Sequence, residues 1–192
     1  MSKILAFSGS LRAGSFNHRL VEIAVEGARQ AGAEVTLARL SDYPMPLLNQ
    51  DDEAATGKPE GARELKALMI AHDGFLIACP EYNGSITAAL KNAIDWTSRP
   101  DEGDPPGGLP AYNGKVVSLM AASPGGLGGL RGLVHVRAIL AGIGCIVLPD
   151  QMAISAAHDA FNEDGSLKDE RKQKTVLGLG ETLANTIVKL QT

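Results

Sequence analysis

Cysteine is nearly absent from this 192-residue chain: the two that occur, Cys79 and Cys145, stand far apart in apolar surroundings. With no C-x-x-C and no ligand-spaced cluster, they exclude a zinc ribbon, a disulfide scaffold and a dithiol centre. Both are expected as buried thiols. Long apolar runs are missing as well. Nothing approaches the ~20 consecutive apolar residues of a membrane span, and Met1-Ser2-Lys3 leads into a strand rather than a signal-peptide core, so the expected location is the cytoplasm, away from membranes. Basic charge is not in excess: 18 Lys and Arg against 22 Asp and Glu leave a net charge of −4. The cations are scattered, which excludes nucleic acid as a partner and leaves small molecules.

Catalytic signatures are equally sparse. His18, His72, His135 and His158 form no ligand or triad spacing, no serine sits in a G-x-S-x-G elbow, and neither cysteine has a nearby histidine. The sequence carries no signal for nucleophilic catalysis or a metal centre, so no catalytic residue or metal ligand is assigned. A chain of this kind leaves the chemistry to a bound cofactor.

What the chain does contain is alternation. Apolar runs at Ile4–Phe7, Glu34–Ala38, Gly74–Cys79, Val116–Ala121 and Cys145–Leu148 read as five strands, mostly continuous in hydrophobicity, as parallel strands covered on both faces are. Between them the spacing predicts helices over Ser15–Ala31, Gly61–Ala71, Ile86–Thr97, Leu127–Ala141 and Asp169–Leu190, the first stopped by Gly32. Length and uniform composition indicate one domain over residues 1–192. Five βα units predict an α/β fold with a parallel sheet of order 2-1-3-4-5 and helices on both faces. In that winding, ligands bind beyond the carboxyl ends of strands one and three.

Three loops would meet there. Ser8–Asn17 is a phosphate-cradle candidate, because helix-start N–H groups and the aligned peptide dipoles favour an anion, and Arg12 with Ser8, Ser10 and Ser15 adds charge and donors. Gly9 and Gly14 have Walker spacing, but serine follows where the lysine should stand, so a single terminal phosphate fits better than a triphosphate. A plain polar turn with Ser15 or Asn17 as helix cap remains the alternative. Pro80-Glu81-Tyr82-Asn83-Gly84-Ser85 offers an aromatic face and backbone N–H groups to a planar ring, or is an ordinary turn capped by Ser85. Ser123–Gly129 is glycine-rich, suited to close ligand approach or to a flexible connector. The helix after it has apolar residues on two sides, Leu127, Leu130, Val134 and Ala138 against Leu133, Val136 and Leu140, which suits a subunit interface or a helix deep in the core.

These motifs in this order, followed by Leu90-Lys91-Asn92-Ala93-Ile94-Asp95-Trp96, resemble the NADPH-dependent FMN reductase family of flavodoxin-like proteins over most of the chain. The resemblance implies an FMN phosphate held by Ser10, Leu11, Arg12, Ser15, Phe16 and Asn17. It implies a flavin ring against Pro80, Glu81, Tyr82, Asn83 and Gly84, with Ser123 and Gly125 flanking. It further implies ping-pong hydride transfer from NADPH or NADH to FMN and then electrons to quinones, chromate, azo dyes or free flavin. A homodimer or homotetramer is implied too, with Met45–Asn49 and Arg99–Asn113 as candidate pocket walls. A flavodoxin-type electron carrier is the alternative. The modest negative charge and the 4% aromatic content count against it.

Overall fold

The computed structural model describes residues 1–191. In β1 (Lys3–Ser8), Ile4 and Ala6 point to one side and Leu5 and Phe7 to the other, all buried. A strand apolar on both faces needs a helical layer on each. One layer is α1 (Phe16–Gln30) and α7 (Glu170–Leu190), which bury Leu20, Ala24, Val176 and Leu183 against Ile4, Ala6 and Met120. The other is α3 (Glu60–Ile70), α4 (Ala88–Thr97) and α5 (Leu130–Gly142), which bury Leu65, Leu90, Leu133 and Val136 against Leu5, Phe7 and Leu119.

The remaining sheet strands are β2 (Glu34–Leu37), β3 (Gly74–Ala78), β6 (Val116–Ala122) and β7 (Ile146–Ile154), and all four pairings are parallel in the order β2-β1-β3-β6-β7. Counted as sheet strands alone this is 2-1-3-4-5, the flavodoxin-like winding expected. All strands run the same way, but the chain winds outward from β1 to β2 and then the other way from β3 to β7, so Ser8 and its register partner Ala78 mark the crevice between β1 and β3.

Several boundaries differ from expectation. The last strand does not end at Leu148: it runs past Pro149 through a break in register, where Val117 pairs with Val147 but Leu119 with Gln151. Proline is tolerated there because β7 is an edge strand, and Arg137 holds the bulge through Val147 O, Pro149 O and Gln151 Oε1. Helix α4 starts at Ala88 with Thr87 as its cap, not Ser85. Ser85 instead belongs to a hairpin of β4 (Glu81–Tyr82) and β5 (Ser85–Ile86). Helix α5 starts at Leu130, because Gly128 and Gly129 adopt positive φ where Leu127 was expected to open the helix. Two short helices were not foreseen, α2 (Gln50–Thr56) and α6 (Ala157–Ala160). Helix α2 buries no residue, so it has no apolar stripe to announce it.

Candidate functional site

The loop after β1 is pinned at its start. Gly9 N–H donates to the Ala78 carbonyl at 2.9 Å, and Thr87 Oγ1 donates to the Gly9 carbonyl at 2.6 Å. Serine hydroxyls then curl the backbone: Ser8 Oγ accepts from Ser10 N–H at 3.3 Å and Ser10 Oγ from Arg12 N–H at 3.2 Å. Ser15 stands at the N-cap of α1, yet its side chain makes no capping hydrogen bond. Its carbonyl accepts from His18 and Arg19 N–H, so the first-turn N–H groups of Phe16 and Asn17 have no intrahelical acceptor.

These groups surround a cavity of about 80 Å³ lined by Ser10, Arg12, Ser15, Phe16, Asn17, Pro80, Glu81, Tyr82, Ala122, Ser123 and Pro124. Three loops far apart in sequence therefore converge as the topology requires. Leu11 is 59% exposed and turns instead to an adjoining cavity of about 350 Å³, lined with Leu40, Ser41, Tyr43, Pro44 and Met45. Asn83 and Gly84 lie outside the smaller cavity at the hairpin tip, and Gly125 lies outside it on the turn that Ser123 Oγ closes by accepting from its N–H. Volume alone does not locate the site. A groove of about 300 Å³ opens beside Asp73, Asn113 and Lys115, at the amino ends of β3 and β6, where no strand-to-helix loop presents donors.

The structure gives some expected residues different tasks. Asn17 was expected on the phosphate, but its buried side-chain amide is committed to Ala122, donating to that carbonyl at 2.7 Å and accepting from that N–H at 2.8 Å. Only its backbone N–H is left for a ligand. Glu81 was expected against the ring, but its carboxylate caps α5. It accepts from Arg131 N–H (3.1 Å), Gly132 N–H (3.3 Å) and Arg131 Nε (2.8 Å). Burial pushes this carboxyl up, and the Arg131 and Gly132 donors outweigh it, holding Glu81 below the usual carboxylate range. The ring of Phe16 stacks on Phe161 with centroids 6.1 Å apart, so it fixes the wall to the core. Of the two candidate wall segments, only Met45 reaches either cavity. The 99–113 loop is instead fastened to α3 and its lead-in, Lys66 pairing with Asp101 (2.7 Å) and Asp104 and Lys58 with Asp101.

One contributor went unforeseen. Thr87, which ties the cradle to α4, is invisible until the hairpin shifts the helix start. That hairpin had a legible signal in Asn83-Gly84, whose φ of +51° and +80° are the paired positive values of a type I′ turn. Tyr82, 55% exposed, is left with a free aromatic face beside the cradle. Cys79 lies beneath Pro80 with no exposure, and burial first, then the charge of Glu81, pushes its thiol up to about 12. It is no nucleophile at neutral pH, and no group of three or more metal-ligating side chains occurs among the described residues.

A terminal phosphate fits this donor set: an unspent N-cap hydroxyl, two unpaired helix-start N–H groups and an exposed arginine line one small cavity. Comparison with known proteins agrees. Residues 2–159 match the family described as NADPH-dependent FMN reductase. An NAD(P)H-dependent FMN reductase of Pseudomonas aeruginosa is 35% identical over 175 residues, covering 91% of this chain and 89% of that one. An NAD(P)H:quinone oxidoreductase of Solanum tuberosum is 32% identical over 192 residues, covering 98% and 94%. Among solved structures, the flavoenzyme NAD(P)H:(acceptor) oxidoreductase of Paracoccus denitrificans superposes with a TM-score of 0.81 at 28% identity, covering 98% of each chain.

Proposed function

The chain belongs to the NADPH-dependent FMN reductase family, and we propose that it acts as a single-domain quinone reductase that takes electrons from NADPH or NADH. The observation that carries the reading is the convergence of Arg12, Ser15 and Tyr82 on one cavity at the sheet's switch point. Arg12, the Ser10 and Ser15 hydroxyls and the Phe16 and Asn17 N–H groups would hold the FMN phosphate. Pro80 and Tyr82 would flank the ring, with Asn83, Gly84, Ser123 and Gly125 bordering it. FMN, when bound, would supply the two-electron redox chemistry that links NAD(P)H oxidation to reduction of the acceptor. The side chains bind and orient; none is positioned as a general acid or base.

Quinones are the acceptors favoured, since relatives aligned over 98% of the chain carry quinone oxidoreductase names. Chromate, azo dyes and free flavin extend the acceptor set within the same reading. Leu127, Leu130 and Val134, 54%, 42% and 57% exposed beside the hairpin, support self-association as a homodimer or homotetramer. No helix among the described residues is long and apolar enough to cross a membrane, and a cytoplasmic location is part of the same proposal. Apoprotein titrated with FMN should bind it saturably and then oxidise NADPH in the presence of 1,4-benzoquinone. Absence of either property sinks the reading.

A further inference from the structure

Between the 3-10 turn at Leu40–Asp42 and α2, residues 43–49 form neither strand nor helix. This segment nevertheless supplies Tyr43, Pro44 and Met45 to the 350 Å³ cavity beside the phosphate cradle. Backbone groups without ladder partners must be met by side chains or water, and side chains that meet them fix where the segment lies. Helix α4 provides them. Asn92 Oδ1 accepts from the Leu48 N–H at 2.9 Å, Asn92 Nδ2 donates to the Pro46 carbonyl at 2.8 Å, and Trp96 Nε1 donates to the same carbonyl at 2.7 Å.

The Asn92 amide thus brackets Leu47 much as an adjacent strand would, and Pro46 O accepts two donors at once. Trp96 is 1% exposed, so its indole N–H would be orphaned without that carbonyl. Asn92 and Trp96 are four residues apart and so share one face of α4. From the other side, Gly61 permits the approach: a Cβ there would lie 2.5 Å from Pro44 O.

We propose that Asn92 and Trp96 are positioning residues for the electron acceptor. By clamping Pro46–Leu48 they hold the Tyr43–Met45 wall where it shapes a largely apolar cavity suited to a quinone-sized planar molecule. The cradle is held by a different set of bonds, Gly9–Ala78, Thr87–Gly9 and Asn17–Ala122, of which only the second reaches α4, at its N-cap. The inference rests on the quinone reductase reading above.

The test uses the full chain with Asn92→Ala, Asn92→Asp and Trp96→Phe. Hydrogen exchange of residues 43–49, read with and without FMN, should quicken by about tenfold at the Leu48 amide in Asn92→Ala. Asn92→Asp keeps the acceptor for that amide but loses the donor, so it should fall between. With 1,4-benzoquinone as acceptor, KM should rise by about fivefold or more while kcat and the FMN dissociation constant stay within about twofold. Unchanged exchange overturns the clamp. Faster exchange with an unchanged KM overturns the role in acceptor binding, and FMN affinity falling in step with KM overturns the separation from the cradle. Should Trp96→Phe fail to fold, the two Asn92 variants decide. A wild-type chain that binds no FMN or oxidises no NADPH overturns the quinone reductase reading and this inference together. Wild-type turnover with variants of unaltered KM overturns this inference alone.

Discussion

Asn17 and Ala122, 105 residues apart, are joined by a reciprocal pair of buried hydrogen bonds, the Asn17 amide meeting both the carbonyl and the N–H at the end of β6. The first helix turn and the end of β6 are thereby held at one distance. Asn17→Ala leaves two buried backbone groups unpaired, each worth about 1–3 kcal/mol, so an overall loss of about 2–6 kcal/mol is expected. Urea denaturation should show a lower midpoint with an unchanged slope. FMN affinity should fall as well, because the cradle loses its attachment to the sheet.

Arg12 is exposed at the rim of the small cavity and is the cation placed to meet a phosphate. Arg12→Ala should weaken FMN by about ten- to hundredfold, the size of one charge-assisted hydrogen bond. Riboflavin, which lacks the phosphate, should bind the variant as it binds the parent. Fluorescence titrations of both flavins check this, and an equal loss for both would place Arg12 elsewhere.

His18 is expected to make stability pH-dependent. Its Nε2 is buried without a hydrogen-bond partner, 3.5 Å from Glu22 Oε1. Burial first and Arg39 second lower its pKa below the ordinary 6.5, against smaller opposing effects of Glu22 and Asp42. The unfolded chain therefore takes up a proton at a pH where the folded chain does not. This favours unfolding as pH drops below 6.5 and adds stability as pH rises through the same window. Denaturation midpoints between about pH 7.5 and pH 5.5 should fall on acidification, and His18→Gln should flatten that slope.

Lys66 is 2% exposed, with Nζ 2.7 Å from Asp101 and 2.8 Å from the Arg99 carbonyl. Burial works against its charge, but the Asp101 and Asp104 carboxylates more than compensate and raise its pKa. Lys66→Met should cost about 1–2 kcal/mol, less than a fully buried pair because Asp101 is partly solvated. Limited proteolysis should then cut residues 99–113 faster while FMN affinity holds, since this loop lines neither cavity.

How far the site could be read from the residues depended on range. Arg12, Ser15 and Tyr82 were legible because their loops follow apolar strands and open helices, a local pattern. Asn83-Gly84 carried a turn signal just as local. Thr87 and Asn92 were not legible as site residues: one acts on Gly9 and the other on Pro46–Leu48, and no periodicity encodes a side chain meeting a distant backbone. Glu81 had the same ambiguity. A carboxylate in a polar loop can face a ligand or a helix end, and only the approach of α5 made it a cap.

The residue order by itself determined the strand and helix alternation, and with it a two-faced parallel sheet. Runs such as Ile4–Phe7 must be covered on both sides, and a chain of βα units covers them only by winding helices above and below. Tertiary structure alone decided which polar groups remain for a ligand. Asn17 and Glu81 are spent on Ala122 and α5, while the Ser15 hydroxyl stays uncommitted, because buried backbone donors and acceptors claim the nearest polar side chain first.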